Sequence, residues 1–132
     1  MIRRLALLLL PVLALAACGD PPKRAPAAGQ TARATVDAAM TAYAMCVYGG
    51  AKTLATPTGL PADIVNAAIR QCAPKRTDLV AKVRAFHRIG SPTEAAAYSD
   101  AVAEQSVAAM EGDLRSEATV NAVSRQLEQE KK

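Results

Sequence analysis

The segment CVYGGAKTLATPTGLPADIVNAAIRQC, residues 46–72, decides the fold. Its centre, TPTGLP from Thr56 to Pro61, is too dense in proline and glycine for a helix to run through. On either side, apolar residues recur at helical spacing. Val36, Met40, Tyr43 and Val47 form one stripe before the turn, and Val65, Ala68, Ile69 and Cys72 another after it. Thr31 or Thr35 is placed to cap the first helix, which ends by Thr56, and Pro61 suits the first turn of the second, where its missing N–H is harmless. Two helices about so short a turn predict an antiparallel hairpin.

The cysteines sit symmetrically about that turn. Cys46 is nine residues before Ala55 and Cys72 eleven after Pro61. At about 1.5 Å per residue both stand roughly 15 Å above the turn. Helix axes lie about 8–10 Å apart, whereas bridged Cα atoms need roughly 4.4–6.8 Å. Gly49 and Gly50, one turn after Cys46, and Ala68, one turn before Cys72, are small enough for the backbones to close that gap. The expectation is a Cys46–Cys72 disulfide stapling the hairpin. A redox or metal pair is the weaker reading. The chain has no C-x-x-C, and its one histidine, His87, has no second ligand type grouped with it.

Beyond the hairpin the pattern stays helical. Pro74 is expected to stop the second helix. A third follows near Thr77 to Ile89 with Leu79, Val83 and Phe86 facing in, closed by Gly90-Ser91-Pro92. Ser91-Pro92-Thr93-Glu94 reads as a capping box opening a long helix from Pro92. Tyr98 and Val102 mark one side of it and Val107, Met110 and Leu114 another, with Gly112 a candidate bend or split. A last stripe holds Val120, Val123 and Leu127. Tyr43, Tyr98 and the methionines are expected in the core. The fold class is all-α: a small bundle of four to five helices over residues 31–132. Hydrophobic residues make up 51% of the chain but aromatic ones only 3%, so the core is thin and alanine-rich. Domains of this size are marginally stable, which gives a covalent staple weight.

The amino-terminal end determines the address. Met1 to Arg4 carries two arginines, and Leu5 to Ala17 is apolar, shorter than the roughly 20 residues a spanning helix needs. Leu15-Ala16-Ala17-Cys18 resembles a bacterial lipobox. That resemblance implies cleavage before Cys18, a diacylglycerol group on its thiol and acylation of the new amino terminus. One acyl chain binds a membrane marginally, whereas two or more anchor stably. Residues 1–17 are then a removed signal peptide, and 18–30, with the proline-rich GDPPKRAPAAGQ, the lipidated cysteine and a flexible tether. The alternative is ordinary cleavage at Ala14-Leu15-Ala16, leaving Cys18 a plain thiol. Cysteine counting opposes it, because an unmodified Cys18 would leave an odd thiol in an exported protein. The mature part looks like small helical envelope lipoproteins of unknown role and resembles no named family. In their sorting rule an aspartate directly after the cysteine retains the protein in the inner membrane. Here that place is Gly19, which favours the outer membrane.

Formal charge is +4, two charges of which belong to Arg3 and Arg4, too mild to imply a polyanion partner. With export and few stacking aromatics, nucleic acid is not expected. Arg70, Lys75, Arg76, Lys82, Arg84 and Arg88 form a basic block against Asp78 alone, whereas from Glu94 to Glu130 acids outnumber Arg115 and Arg125. Solvated faces that attract one another explain this. The sharper alternative is contact of Lys82, Arg84 and Arg88 with anionic lipid or an acidic envelope partner. Chemistry is sparse: there is no G-x-S-x-G, no H-E-x-x-H and no glycine-rich phosphate loop. His87 reads as structural. Asp100 and Glu104, spaced i, i+4, would act as acid and base only if desolvated. The expected function is a membrane-anchored periplasmic module, non-enzymatic and without cofactor or metal, in interaction or structure. The alternative is an envelope enzyme or enzyme inhibitor.

Overall fold

The computed structural model describes residues 27–131, all helix but for two turns and the residues at helix ends. Cys18 and the signal segment lie outside the described residues. Four helices follow in order: α1 Ala27–Leu54, α2 Pro61–Gln71, α3 Ala73–Gly90 and α4 Ala96–Glu130. They make three arms. α2 and α3 form one bent arm running back along α1, and α4 returns parallel to α1. The parallel register shows in side-chain contacts of near-constant separation: Tyr43 with Glu111, Tyr48 with Glu117, and the α1–α2 turn with Gln126 and Gln129.

The bend in the second arm comes from Cys72 and Pro74. The Cys72 N–H donates to the Ala68 and Ile69 carbonyls, finishing α2, and its own carbonyl accepts from the Lys75 and Arg76 amides, starting α3. Pro74 therefore falls in the first turn of α3, where the absent N–H has no partner to lose. It opens the third helix at Ala73 instead of holding it off until Thr77.

Other helix ends also differ from expectation. α1 begins at Ala27, so Ala27 to Gln30, read as tether, are helical. Alanine is the strongest helix former, and two of these residues are alanine. Thr31 and Thr35 are not caps. Their hydroxyls donate back to the Ala27 and Ala32 carbonyls at 3.1 and 2.7 Å, as threonines inside a helix do. Ser91 to Glu94 is not a capping box. The Ser91 N–H closes α3 on the His87 carbonyl, and the Glu94 N–H closes a turn on the Ser91 carbonyl at 3.2 Å. The Glu94 carboxylate lies towards His87, and α4 starts after Ala95, which offers no side-chain cap. α4 runs unbroken through Gly112.

The core is a seam of small residues. Ala39, Tyr43, Val47 and Ala51 line α1; Ile64, Val65, Ala68 and Cys72 the second arm; Leu79 and Val80 α3. α4 contributes Ser99, Ala103, Val107, Leu114, Ala118 and Ala122 at near-fourfold spacing. Tyr98 and Phe86, expected inside, are 55% and 41% exposed. Val120, Val123 and Leu127 are exposed too, and Met40 and Met45 lie at the surface. The alanine seam brings the backbones close and leaves too few interior places for every apolar side chain.

The staple is present. Cys46 and Cys72 are bonded, with Cα atoms 6.0 Å apart. The close approach that allows it belongs to Gly50: a Cβ there would lie 3.1 Å from the Ala68 Cβ. Around Gly49 a Cβ would meet nothing within 4 Å, as at Gly112. Gly49→Ala and Gly112→Ala should therefore each raise stability by about 0.5–1 kcal/mol, since mid-helix glycine costs that much against alanine. Gly50→Val should lower it by about 1–3 kcal/mol through overpacking against Ala68. Urea denaturation of the oxidised variants checks all three, and a neutral Gly50→Val would refute the close-approach account.

The α1–α2 turn is closed from α4. Gln126, 9% exposed, donates to the Thr56 and Gly59 carbonyls at 2.6 and 2.7 Å. Gln129 donates to the Ala55 carbonyl at 3.2 Å. Two amides from α4 thus supply donors to the turn's carbonyls, of which that of Thr56 also accepts the Gly59 N–H.

Candidate functional site

Two polar constellations and one groove are built where the helices meet. The first is a clamp. Tyr43, wholly buried on α1, donates its hydroxyl to Glu111 Oε1 of α4 at 2.5 Å. Arg76 of α3 donates from Nε to the same oxygen at 3.0 Å and from a terminal nitrogen to Glu104 Oε2 at 2.9 Å. One carboxylate, its side chain 14% exposed, thereby joins three helices. Burial, and next the bond to Glu111, raises the Tyr43 pKa above its ordinary value. The hydrogen bond to Glu104 raises that of Arg76. One turn and a residue on, Tyr48 donates to Glu117, which with some burial pushes its pKa up to about 12. Arg115 donates to Asn66 Oδ1 at 2.6 Å and ties α4 to α2.

The second constellation surrounds the histidine. His87 Nδ1 lies 3.2 Å from Ser99 Oγ and its Nε2 3.7 Å from Glu94. The Tyr98 ring tilts over the imidazole, centroids 5.8 Å apart. A serine, a histidine and a carboxylate in line suggest nucleophilic chemistry. Burial decides otherwise, because Ser99 is 0% exposed and no substrate carbonyl reaches its Oγ. The group joins the end of α3 to the start of α4.

Between α1 and α4, beside the clamp, runs an open groove of about 370 Å³. Met40, Ala44, Met45, Met110 and Leu114 make it apolar. Tyr48 contributes ring surface, Tyr43 lies buried behind the groove wall, and Thr41, Asp113 and Glu117 complete the lining.

The other residues singled out from sequence are scattered. Lys82 lies 3.9 Å from Asp78 on its own helix. Arg84 Nε lies 2.6 Å from Asp100 Oδ1, a charge contact without aligned hydrogen-bond geometry. Arg88 is exposed. Asp100 and Glu104 turn to different partners, Arg84 and Arg76, so they do not act as a carboxylate pair. Among the described residues no cluster of histidine, cysteine and acidic side chains could hold a metal. Comparison with known protein families, curated proteins and solved structures found no match to this chain. The geometry therefore carries the functional argument alone.

Sequence reasoning missed the clamp and the groove. The basic block and the acidic helix hinted that α3 and α4 attract. No local signal paired Tyr43 with Glu111, 68 residues away.

Proposed function

We propose that this chain is a lipid-anchored envelope lipoprotein that works by binding. Acyl chains on Cys18 hold it at a membrane, the outer membrane by preference, with the helical bundle facing the periplasm. The observation that carries the binding reading is the open apolar groove between α1 and α4, beside buried polar groups that bond to one another. Glu111 is shared between Tyr43 and Arg76, and Ser99 is sealed under His87. Such a body suits recognition, since apolar concavities on rigid scaffolds are where ligands dock. The disulfide supports export to an oxidising compartment. No helix among the described residues is long and apolar enough to cross a membrane, so attachment in this reading rests on Cys18.

Cys18→Ser tests the anchor. Wild-type protein expressed in a Gram-negative host should fractionate with membranes and gain the mass of its acyl groups. The serine variant should lose both. A variant that still sediments with membranes, or wild-type protein of unmodified mass, would overturn the anchoring.

A further inference from the structure

All three methionines other than Met1 line this same groove between α1 and α4. Thioether side chains are flexible and polarizable, and they recur on adaptable binding surfaces. Met45 is 64% exposed, so its own chain does not use it for packing. The charged groups of the lining have one sign. Asp113 and Glu117 contribute to it, and no lysine, arginine or histidine does. Glu117 accepts the Tyr48 hydroxyl, whereas Asp113 has neither an ion pair nor a hydrogen bond among the described residues. A free carboxylate thus stands at the edge of an apolar cleft. The volume of about 370 Å³ falls in the range of small-molecule sites, roughly 300–1,000 Å³.

We infer that this groove binds a small amphiphilic cation, its apolar body against Met40, Met45 and Met110 and its cationic nitrogen at Asp113. The inference rests on the reading of the chain as a binding module and names the ligand class for it. Anionic amphiphiles are disfavoured by two carboxylates in a lining that holds no lysine, arginine or histidine.

The test uses the mature chain carrying Cys18→Ser, which keeps acyl groups out of the assay. It is titrated below the micelle concentration with dodecyltrimethylammonium and separately with dodecyl sulfate. Calorimetry reads affinity, and methyl NMR of labelled methionine reads place. The cation should bind one to one and shift all three groove methyls together, and the sulfate with the same tail should bind more weakly. Asp113→Asn should weaken the cation by about fivefold, the size of an exposed charge contact. Met45→Lys, at an exposed position, should abolish binding with circular dichroism unchanged. Equal affinity for the sulfate, unmoved methionine methyls, or undiminished binding by Met45→Lys would each overturn the assignment. So would sedimentation showing that the groove is covered by a second copy. A chain that binds no cation but is anchored through Cys18 would sink the ligand class and leave the tethered module standing. Cation binding by a chain that proves unlipidated would do the reverse.

Discussion

Replacing Cys46 and Cys72 together by alanine should lower the unfolding free energy by about 3–4 kcal/mol, the chain-entropy value for a loop of this length. The bond spans a separation of 26 residues and ties α1 to the bend between α2 and α3. It matters more here than in a richer core, because seven of the sixteen buried apolar residues described are alanine. Alanine has little side-chain surface to bury, and hydrophobic stabilisation follows apolar area. In a domain of roughly 100 residues, 1 kcal/mol moves the midpoint by about 4–8 °C, so a loss of about 3–4 kcal/mol should lower Tm by roughly 12–32 °C. Thermal unfolding of the oxidised wild type against the double variant measures this, and wild type in excess reductant should follow the variant. A Tm lowered by only a few degrees would mean that the helices hold the hairpin without the staple.

Tyr43→Ala should be as damaging, at about 3–5 kcal/mol, the cost of emptying a buried aromatic site. Tyr43 is wholly buried and the largest such side chain in the core. Tyr43→Phe separates the ring from the hydroxyl. It should cost about 1–2 kcal/mol, because Glu111 keeps Arg76 but loses one donor. The two tyrosines also set an alkaline limit. Their pKa values are raised in the folded state, Tyr48 from 10.0 to about 12 and Tyr43 upward chiefly by burial. A group whose folded pKa is raised stabilises the fold fully below its unfolded value. That contribution is lost as pH rises through the folded value. Stability should therefore decline from about pH 10 upward, and more steeply in wild type than in Tyr43→Phe/Tyr48→Phe. Urea unfolding at pH 9 and pH 11 gives the comparison. Equal slopes would remove the tyrosine–glutamate pairs as the cause.

Legibility divided along the chain by the range of the interactions involved. The hairpin was readable because its signals are local. Breakers cluster in Thr56 to Pro61, apolar residues repeat every three to four positions, and the cysteines stand at equal height about one turn. Gly50 was correctly read as a close-approach residue, but Gly49 beside it was not, since one residue turns a helix by a quarter-circle or more and faces open space. Helix ends misled where one residue type serves two purposes. Pro74 can end a helix or begin one, and Ser91 with Glu94 fits a capping box as well as it fits the turn it makes. Choosing between them required knowing that the Glu94 carboxylate has His87 to face.

By itself the sequence determined an all-helical chain, a stapled hairpin and an acidic last helix set against a basic third, because propensity, periodicity and covalent spacing act within a few residues. Only the tertiary structure decided that Tyr43 and Arg76 meet at Glu111, that Ser99 is sealed beneath His87, and that Met40, Met45 and Met110 share one groove. Those contacts join residues up to 70 positions apart. They depend on the register and rotation of whole helices, which are set by how an alanine seam packs and not by the residues that meet.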